Sequence, residues 1–304
     1  MIFLKADPQF KSMPLKVEHR LTSIYVSKPC PLISHCYNLL LAFLGLATHK
    51  KKCYIEVDRW GEDRVSRLSV NINKIATLRN SRRGHEPNLL EFAHKIVSYG
   101  AHGITIHPRA DERHITRRDA AEITKEITKV EVNIEGDLRD DFLELVLSSK
   151  PAQCTLVPVT PGEITSDHGW NFERHGWLLE SVIRKLKSHG IRVSLFIDAG
   201  NLSGIRSAAE IGADRIEIYT KPFADAFLSG QVTKAISDIN LTIELAKKLG
   251  LGVNAGHDLT HLNLALLQRE CPGIDEFSIG HHLISRALDV GMEQAVKDYL
   301  QALG

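Results

Sequence analysis

Two histidines and one glutamate in this 304-residue chain occupy positions suited to moving protons. His107 ends the run Gly103-Ile-Thr-Ile-His107, Glu135 ends Glu131-Val-Asn-Ile-Glu135, and His257 follows Gly252-Val-Asn-Ala-Gly256. Histidine titrates near neutral pH, and a carboxyl group does so when desolvation raises its pKa. Such a set can therefore take up and return protons in turn. Asn71 and Asn73 end a similar run, while Asp198, then Glu217 with Tyr219, then Gly280-His281 end three more. Taken singly, a strand-end histidine is an ordinary surface residue. Several chemically capable residues at equivalent places are a different matter.

The elements that must hold these residues repeat along the chain. Strand-like runs are expected at Leu68–Ile72, Gly103–His107, Glu131–Glu135, Gln153–Pro158, Ile191–Asp198, Arg215–Thr220, Gly252–Gly256 and Glu276–His281. Segments with helical periodicity lie near 88–99, 117–128, 138–149, 177–188, 203–211, 235–249, 260–269 and 284–302. Gly100, Gly190, Gly212, Gly250 and Pro151 punctuate helix-to-strand junctions, where a helix has to stop. Eight such units over residues 68–304 predict an α/β fold, a (β/α)8 TIM barrel, whose site sits at the C-terminal strand ends. An open doubly wound sheet is the alternative, but no G-x-G-x-x-G fingerprint follows the first strand.

Composition narrows the function. Hydrophobic residues make up 43% and charged residues 25%, which are ordinary globular values. Lys and Arg number 38 against 37 Asp and Glu, so there is no overall field for nucleic acid or an anionic membrane. The balance is uneven, however: residues 1–67 hold eleven basic and six acidic groups, residues 68–304 hold 27 and 31. The basic part is expected to be a non-barrel N-terminal extension, poorly ordered or outside the natural product. Its apolar run, Leu39 to Ala47, is too short to span a bilayer. Its Cys30, His35, Cys36, His49 and Cys53 follow no zinc spacing. Sparse cysteines suit a reducing, cytoplasmic location.

Specific stretches carry a resemblance. Ser69-Val-Asn-Ile-Asn-Lys-Ile-Ala-Thr-Leu-Arg-Asn80, Gly103-Ile-Thr-Ile-His-Pro-Arg109 and Asp111-Glu-Arg-His-Ile-Thr116 resemble the pyridoxine 5′-phosphate synthase family of the deoxyxylulose-phosphate-dependent vitamin B6 route. So do Val193-Ser-Leu-Phe-Ile-Asp198, Val253-Asn-Ala-Gly-His257 and Ser278-Ile-Gly-His281, in order along about residues 68–302. The resemblance implies a homo-octameric barrel that condenses 3-amino-2-oxopropyl phosphate with 1-deoxy-D-xylulose 5-phosphate. Pyridoxine 5′-phosphate, phosphate and water are the products. No cofactor and no metal are expected, and no protein Schiff base is needed, since the substrate itself brings the amine. By the same resemblance His107 and Glu135 are bases and His257 is the acid.

Two phosphorylated substrates need anion sites. By resemblance, Asn71, Arg82, Arg109, His114, Thr165, Asp258, Gly280 and His281 bind substrate, with Asn73 and Lys74 as further positions. Arginine offers a planar fork to phosphate oxygens. The turns after strands 7 and 8 are where barrels hold phosphate on backbone N–H groups. The loop 159–176 containing Thr165 is long enough to be a lid. Asn73-Lys74 replaces an Asp-His common in the family, and Asp258 replaces a common Gly. Two other enzyme classes compete: a Schiff-base aldolase using Lys221 or Lys74, and a metallohydrolase, for which no His-x-His lies on strand 1. A non-catalytic phosphate-binding barrel is a third reading, but it has no need of His107, Glu135 and His257 together.

Overall fold

The computed structural model of the chain describes residues 66–159 and 168–304. Thr165 and the extension through residue 65, with its cysteines and histidines, lie outside the described residues. The strands are β1 (Arg67–Asn71), β2 (Gly103–Ile106), β3 (Glu131–Gly136), β4 (Gln153–Leu156), β5 (Arg192–Asp198), β6 (Arg215–Tyr219), β7 (Gly252–Gly256) and β8 (Glu276–Ile279). They close into a barrel in sequence order. Every pairing is parallel, including β1 with β8. The expected TIM barrel is therefore the fold.

Eleven helices surround the barrel among the described residues, three more than the periodicity predicts. They are α1 (Asn73–Asn80), α2 (Leu89–Ser98), α3 (Arg117–Glu126), α4 (Asp140–Ser149), α5 (Phe172–Lys187), α6 (Leu202–Glu210), α7 (Lys221–Ser229), α8 (Thr233–Lys248), α9 (His261–Glu270), α10 (His281–Val290) and α11 (Met292–Leu303). Helix α1 buries only Ile75 and Ala76, and α7 only Phe223 and Ala224, so neither shows a sustained apolar stripe. The expected helix 284–302 divides at Gly291, whose φ of 84° no helix accommodates. Helix α5 begins at Phe172 rather than 177, capped by Asn171 Oδ1 on the Arg174 N–H. Thr116 and Thr260 form capping boxes at the starts of α3 and α9. Several strands are shorter than expected: β2 stops before His107, and β8 stops before Gly280 because His281 already opens α10.

Alternation along the strands separates two environments. Leu68, Val70, Ile104, Ile106, Val132 and Ile134 are buried in the hydrophobic core. The alternate positions are buried but polar: Ser69, Thr105, Asn133, Thr155, Ser194, Glu217, Asn254, Glu276 and Ser278. They bond one another across neighbouring strands, Ser69 to Thr105 at 2.7 Å and Thr155 to Asn133 at 3.0 Å. Branched aliphatics usually fill these layers in a TIM barrel. At the N-terminal strand ends, Arg192 pairs with Glu131 (2.6 Å) and Gln153 (2.8 Å), and Arg215 with Asn254 (2.7 Å). Arg67 adds contacts to Glu131 (3.3 Å) and Glu276 (3.8 Å). This ring of paired charge closes one end and leaves the C-terminal end as the mouth.

Gly136, directly after Glu135, shows how tightly β3 is seated. A Cβ there would lie 2.2 Å from the ring of Phe142, which is itself buried in α4. Gly136→Ala should lower the unfolding free energy by about 1–3 kcal/mol through overpacking. Urea denaturation of the variant against wild type measures it.

Candidate active site

Three strand ends bring the proton-transfer candidates together. His107, one residue past β2, is 8% exposed, and Glu135 on β3 is 4% exposed. His107 Nδ1 stands 3.7 Å from Glu135 Oε2. Asn71 Nδ2 on β1 donates to the same carboxylate oxygen at 3.5 Å, and the Ser278 hydroxyl on β8 donates to Oε1 at 3.5 Å. Burial pushes the Glu135 carboxyl up to about 7, against the opposing pull of the Ser278 hydrogen bond and Arg109. Burial, then Arg109, His114 and His257, hold His107 well below its ordinary pKa. The pair at neutral pH is a neutral imidazole beside a carboxyl able both to take and to release a proton.

His257 reaches the mouth from the far side on a strained turn. It and Asp258 both have left-handed backbones, with φ of 84° and 57°. For non-glycine residues this costs on the order of 1–3 kcal/mol each. Thr220 holds the turn: its Oγ1 lies 2.5 Å from the carbonyl oxygens of Gly256 and His257, and its N–H donates to Gly256 at 2.9 Å. The His257 ring packs edge-on against Phe196 (5.0 Å between centroids) and Tyr219 (5.5 Å). Its Nδ1 is buried and has no hydrogen-bond partner among the described residues. Burial lowers the His257 pKa, and Asp258 partly offsets this.

Glu217 belongs with this group, although the sequence reading left it out of the site. It is 1% exposed on β6, with neither carboxylate oxygen hydrogen-bonded among the described residues. The Thr155 hydroxyl beside it donates instead to Asn133, at 3.0 Å. Burial, then the Glu135 and Glu276 carboxylates, push Glu217 well above the usual carboxylate range. A Cβ on Gly256 would come within 3.0 Å of Glu217 Oε1 and 2.8 Å of the Ser278 carbonyl, so glycine is required there. The signal was an acidic residue inside the apolar run Arg215-Ile-Glu-Ile-Tyr219, in phase with the inward positions.

The anion-binding candidates divide. His114 is buried, its ring 6.1 Å from that of His107, and its Nδ1 accepts the Ile115 N–H. Burial, then Arg109, Arg113 and Lys74, lower its pKa to about 4, which places three cations around it. Arg109 is half-buried, and it also borders a cleft of about 310 Å³ between the 108–112 loop and α4 that contains none of the proton-transfer residues. Arg82 and Lys74 are exposed on and just after α1, so Lys74 is a helical residue rather than part of a strand-end loop. Asn73 is the first residue of that helix, and its Oδ1 accepts the His107 N–H at 2.9 Å.

At β8, a Cβ on Gly280 would lie 3.0 Å from Asn71, so the first and last strands touch beside the site. His281 and His282 share the first turn of α10 with their rings 5.1 Å apart. The Asp258 carboxylate stands 3.9 Å from His282 Nε2. Lys221 is hydrogen-bonded to Asp225 at 2.6 and 2.8 Å, which raises its pKa. A Schiff-base lysine needs the opposite shift. No group of three or more metal-ligating side chains occurs among the described residues, and no described helix is long and apolar enough to cross a membrane.

Comparison with known proteins concerns the chain as a whole. The family described as "Pyridoxal phosphate biosynthesis protein PdxJ" matches residues 68–304. The pyridoxine 5′-phosphate synthase of Christiangramia forsetii is 49% identical over 239 residues, covering 79% of this chain and 100% of that protein. The protein of the same name from Leptospira biflexa is 48% identical over 255 residues, covering 79% and 97%. Among solved structures, an Aquifex aeolicus protein superposes with a TM-score of 0.55 at 13% identity, over 79% of this chain and 94% of that one. That last likeness is one of fold alone.

The raised Glu135 pKa has a consequence for stability. An unfolded chain releases this proton near 4.5, whereas the fold retains it to about 7. The native state thus binds more protons between those values, and Glu135 costs stability as pH rises through them. Relative to wild type, Glu135→Gln should gain stability from pH 4.5 to 7, by a few kcal/mol at ~1.4 kcal/mol per pKa unit. Urea midpoints across that range read the difference, and parallel curves would contradict it.

Proposed function

The chain belongs to the PdxJ family of pyridoxal phosphate biosynthesis proteins and makes pyridoxine 5′-phosphate, and we propose that His107, Glu135 and His257 move the protons. The substrates on this reading are 3-amino-2-oxopropyl phosphate and 1-deoxy-D-xylulose 5-phosphate. The amine of one attacks the ketone of the other, water leaves as the imine forms, and ring closure with further eliminations gives the aromatic pyridine. Each step needs a proton removed from carbon or nitrogen, or delivered to a departing oxygen. The observation that carries the assignment is the 3.7 Å approach of a neutral His107 to a carboxyl poised at about 7. A base must be deprotonated before it acts, and a carboxyl near 7 can hand the same proton back. His257 delivers protons from the opposite wall, its ring braced by Phe196 and Tyr219. Glu217, kept protonated by burial and by two neighbouring carboxylates, supplies a neutral acid below them.

Substrate phosphates on this reading meet Arg109, Lys74, Arg82 and His114 on one side. On the other they meet the backbone N–H groups of Asp258, Gly280 and His281, with Asn71 between the two. The Asp258 carboxylate's approach to His282 supports this, since it turns that charge toward an imidazole. The enzyme acts in the cytoplasm, a reading supported by the free buried thiols of Cys154 and Cys271 among the described residues. It assembles as a homo-octamer, for which the exposed Trp177, Leu228, Leu262 and Leu288 supply apolar surface.

Purified protein given both substrates and no added metal should yield a product with the mass and absorbance of pyridoxine 5′-phosphate. His107→Asn should fold normally and lose turnover by roughly 10²–10⁴-fold, the range of a positioned general base. Undiminished turnover in that variant removes His107 from the mechanism.

A further inference from the structure

A side-chain bridge at the mouth remains outside this chemistry. Strands β1 and β2 stay in register as far as Asn71 opposite Thr105. Two residues farther on, β1 has already coiled into α1, and there the side chain of Asn73 spans the gap. Its Oδ1 accepts the backbone N–H of His107 at 2.9 Å. The Asn73 N–H in turn donates to Asn71 Oδ1 at 3.0 Å, and Asn71 Nδ2 donates to Glu135 Oε2 at 3.5 Å. His107 Nδ1 faces the same oxygen at 3.7 Å. Four residues, on β1, β3, α1 and just past β2, thus close a ring in which the imidazole and the carboxyl are neighbours.

We propose that Asn73 is a positioning residue, which fixes the His107 ring relative to the Glu135 carboxyl by holding the His107 N–H. The inference rests on the reading of His107 as the base. His107 lies just beyond the last residue of β2, where strand pairing no longer restrains the backbone. The Asn73 oxygen supplies that restraint. What the position requires is an acceptor on a short side chain at the first turn of α1, a role that Asn and Asp fill and Ala does not. Lys74 cannot substitute, because it is exposed and carries only donors.

Asn73→Ala and Asn73→Asp, each made alone and together with His107→Asn, test the proposal in the full chain. Asn73→Ala should lower kcat by roughly 10–100-fold, the scale of an ångström's misplacement, and leave KM for both substrates within about threefold. Asn73→Asp should keep kcat within about threefold of wild type. It also keeps the test decisive if Asn73→Ala does not fold, because a loss of tenfold or more in Asn73→Asp overturns the proposal. On top of His107→Asn, Asn73→Ala should cost nothing further. A raised KM with unchanged kcat in Asn73→Ala, or additive losses in the double variant, overturns the positioning role while leaving the base assignment intact. Wild-type turnover in His107→Asn alone overturns the base assignment, and the positioning role with it.

Discussion

Two carboxyl groups buried in one barrel cannot both be charged cheaply, and much of this structure is arranged around that fact. Glu135 and Glu217 lie within electrostatic reach of each other in a space that water screens poorly, and Glu276 acts on Glu217 from below. The fold accommodates them by keeping protons on the barrel axis. It also replaces aliphatic filling with Ser, Thr and Asn side chains that bond one another. Arg67, Arg192 and Arg215 gather at the N-terminal end, where Glu131 is drawn below the usual carboxylate range by its contact with Arg192. Charge at the bottom is thereby paired, whereas the carboxyls nearer the top are held toward their neutral forms. A charge on Glu135 makes one on Glu217 harder to form, because the first carboxylate pushes the second upward.

The same economy of space shapes the backbone on the β7–β8 side. Gly256 is glycine because Glu217 and the Ser278 carbonyl occupy the place of a side chain. The chain then passes through two left-handed non-glycine residues before α9, with Thr220 clamping both carbonyls. Strain of that kind persists only where surrounding contacts over-determine the conformation. Here they do: the hydroxyl clamp below, the aromatic rings of Phe196 and Tyr219 beside the imidazole, and Asn263 Nδ2 donating to the Asp258 carbonyl at 3.3 Å. The result is a histidine whose direction is set by its backbone as much as by its rotamer.

The barrel was legible in the sequence because parallel strands covered on both faces read as short apolar runs, and glycine marked the ends of the intervening helices. Helices α1 and α7 were not, because two buried residues apiece leave no period to detect. His107, Glu135 and His257 stood out by strand-end position. Glu217 was visible at such an end too, but its significance lies in its burial, which spacing does not encode. Asn73 had the opposite fate. Its place next to the site marks a ligand position, and its oxygen proves also to accept the backbone N–H of His107, a partner that spacing does not reveal. Which atom a polar side chain satisfies is decided by tertiary register, and no local pattern carries that information.

Gly280 leans on Asn71, and β8 pairs with β1 from Arg67 to Val70. The two ends of the barrel sequence therefore meet beside the candidate site. Pairing elements so distant along the chain is the slow, late kind of contact in folding. On the ribosome, His107 and Glu135 emerge long before Ser278, the donor to Glu135, has been synthesised. A growing polypeptide thus carries His107 and Glu135 before the β8 hydroxyl that donates to Glu135 exists. Translation must run through β8 before the surroundings of Glu135 are complete.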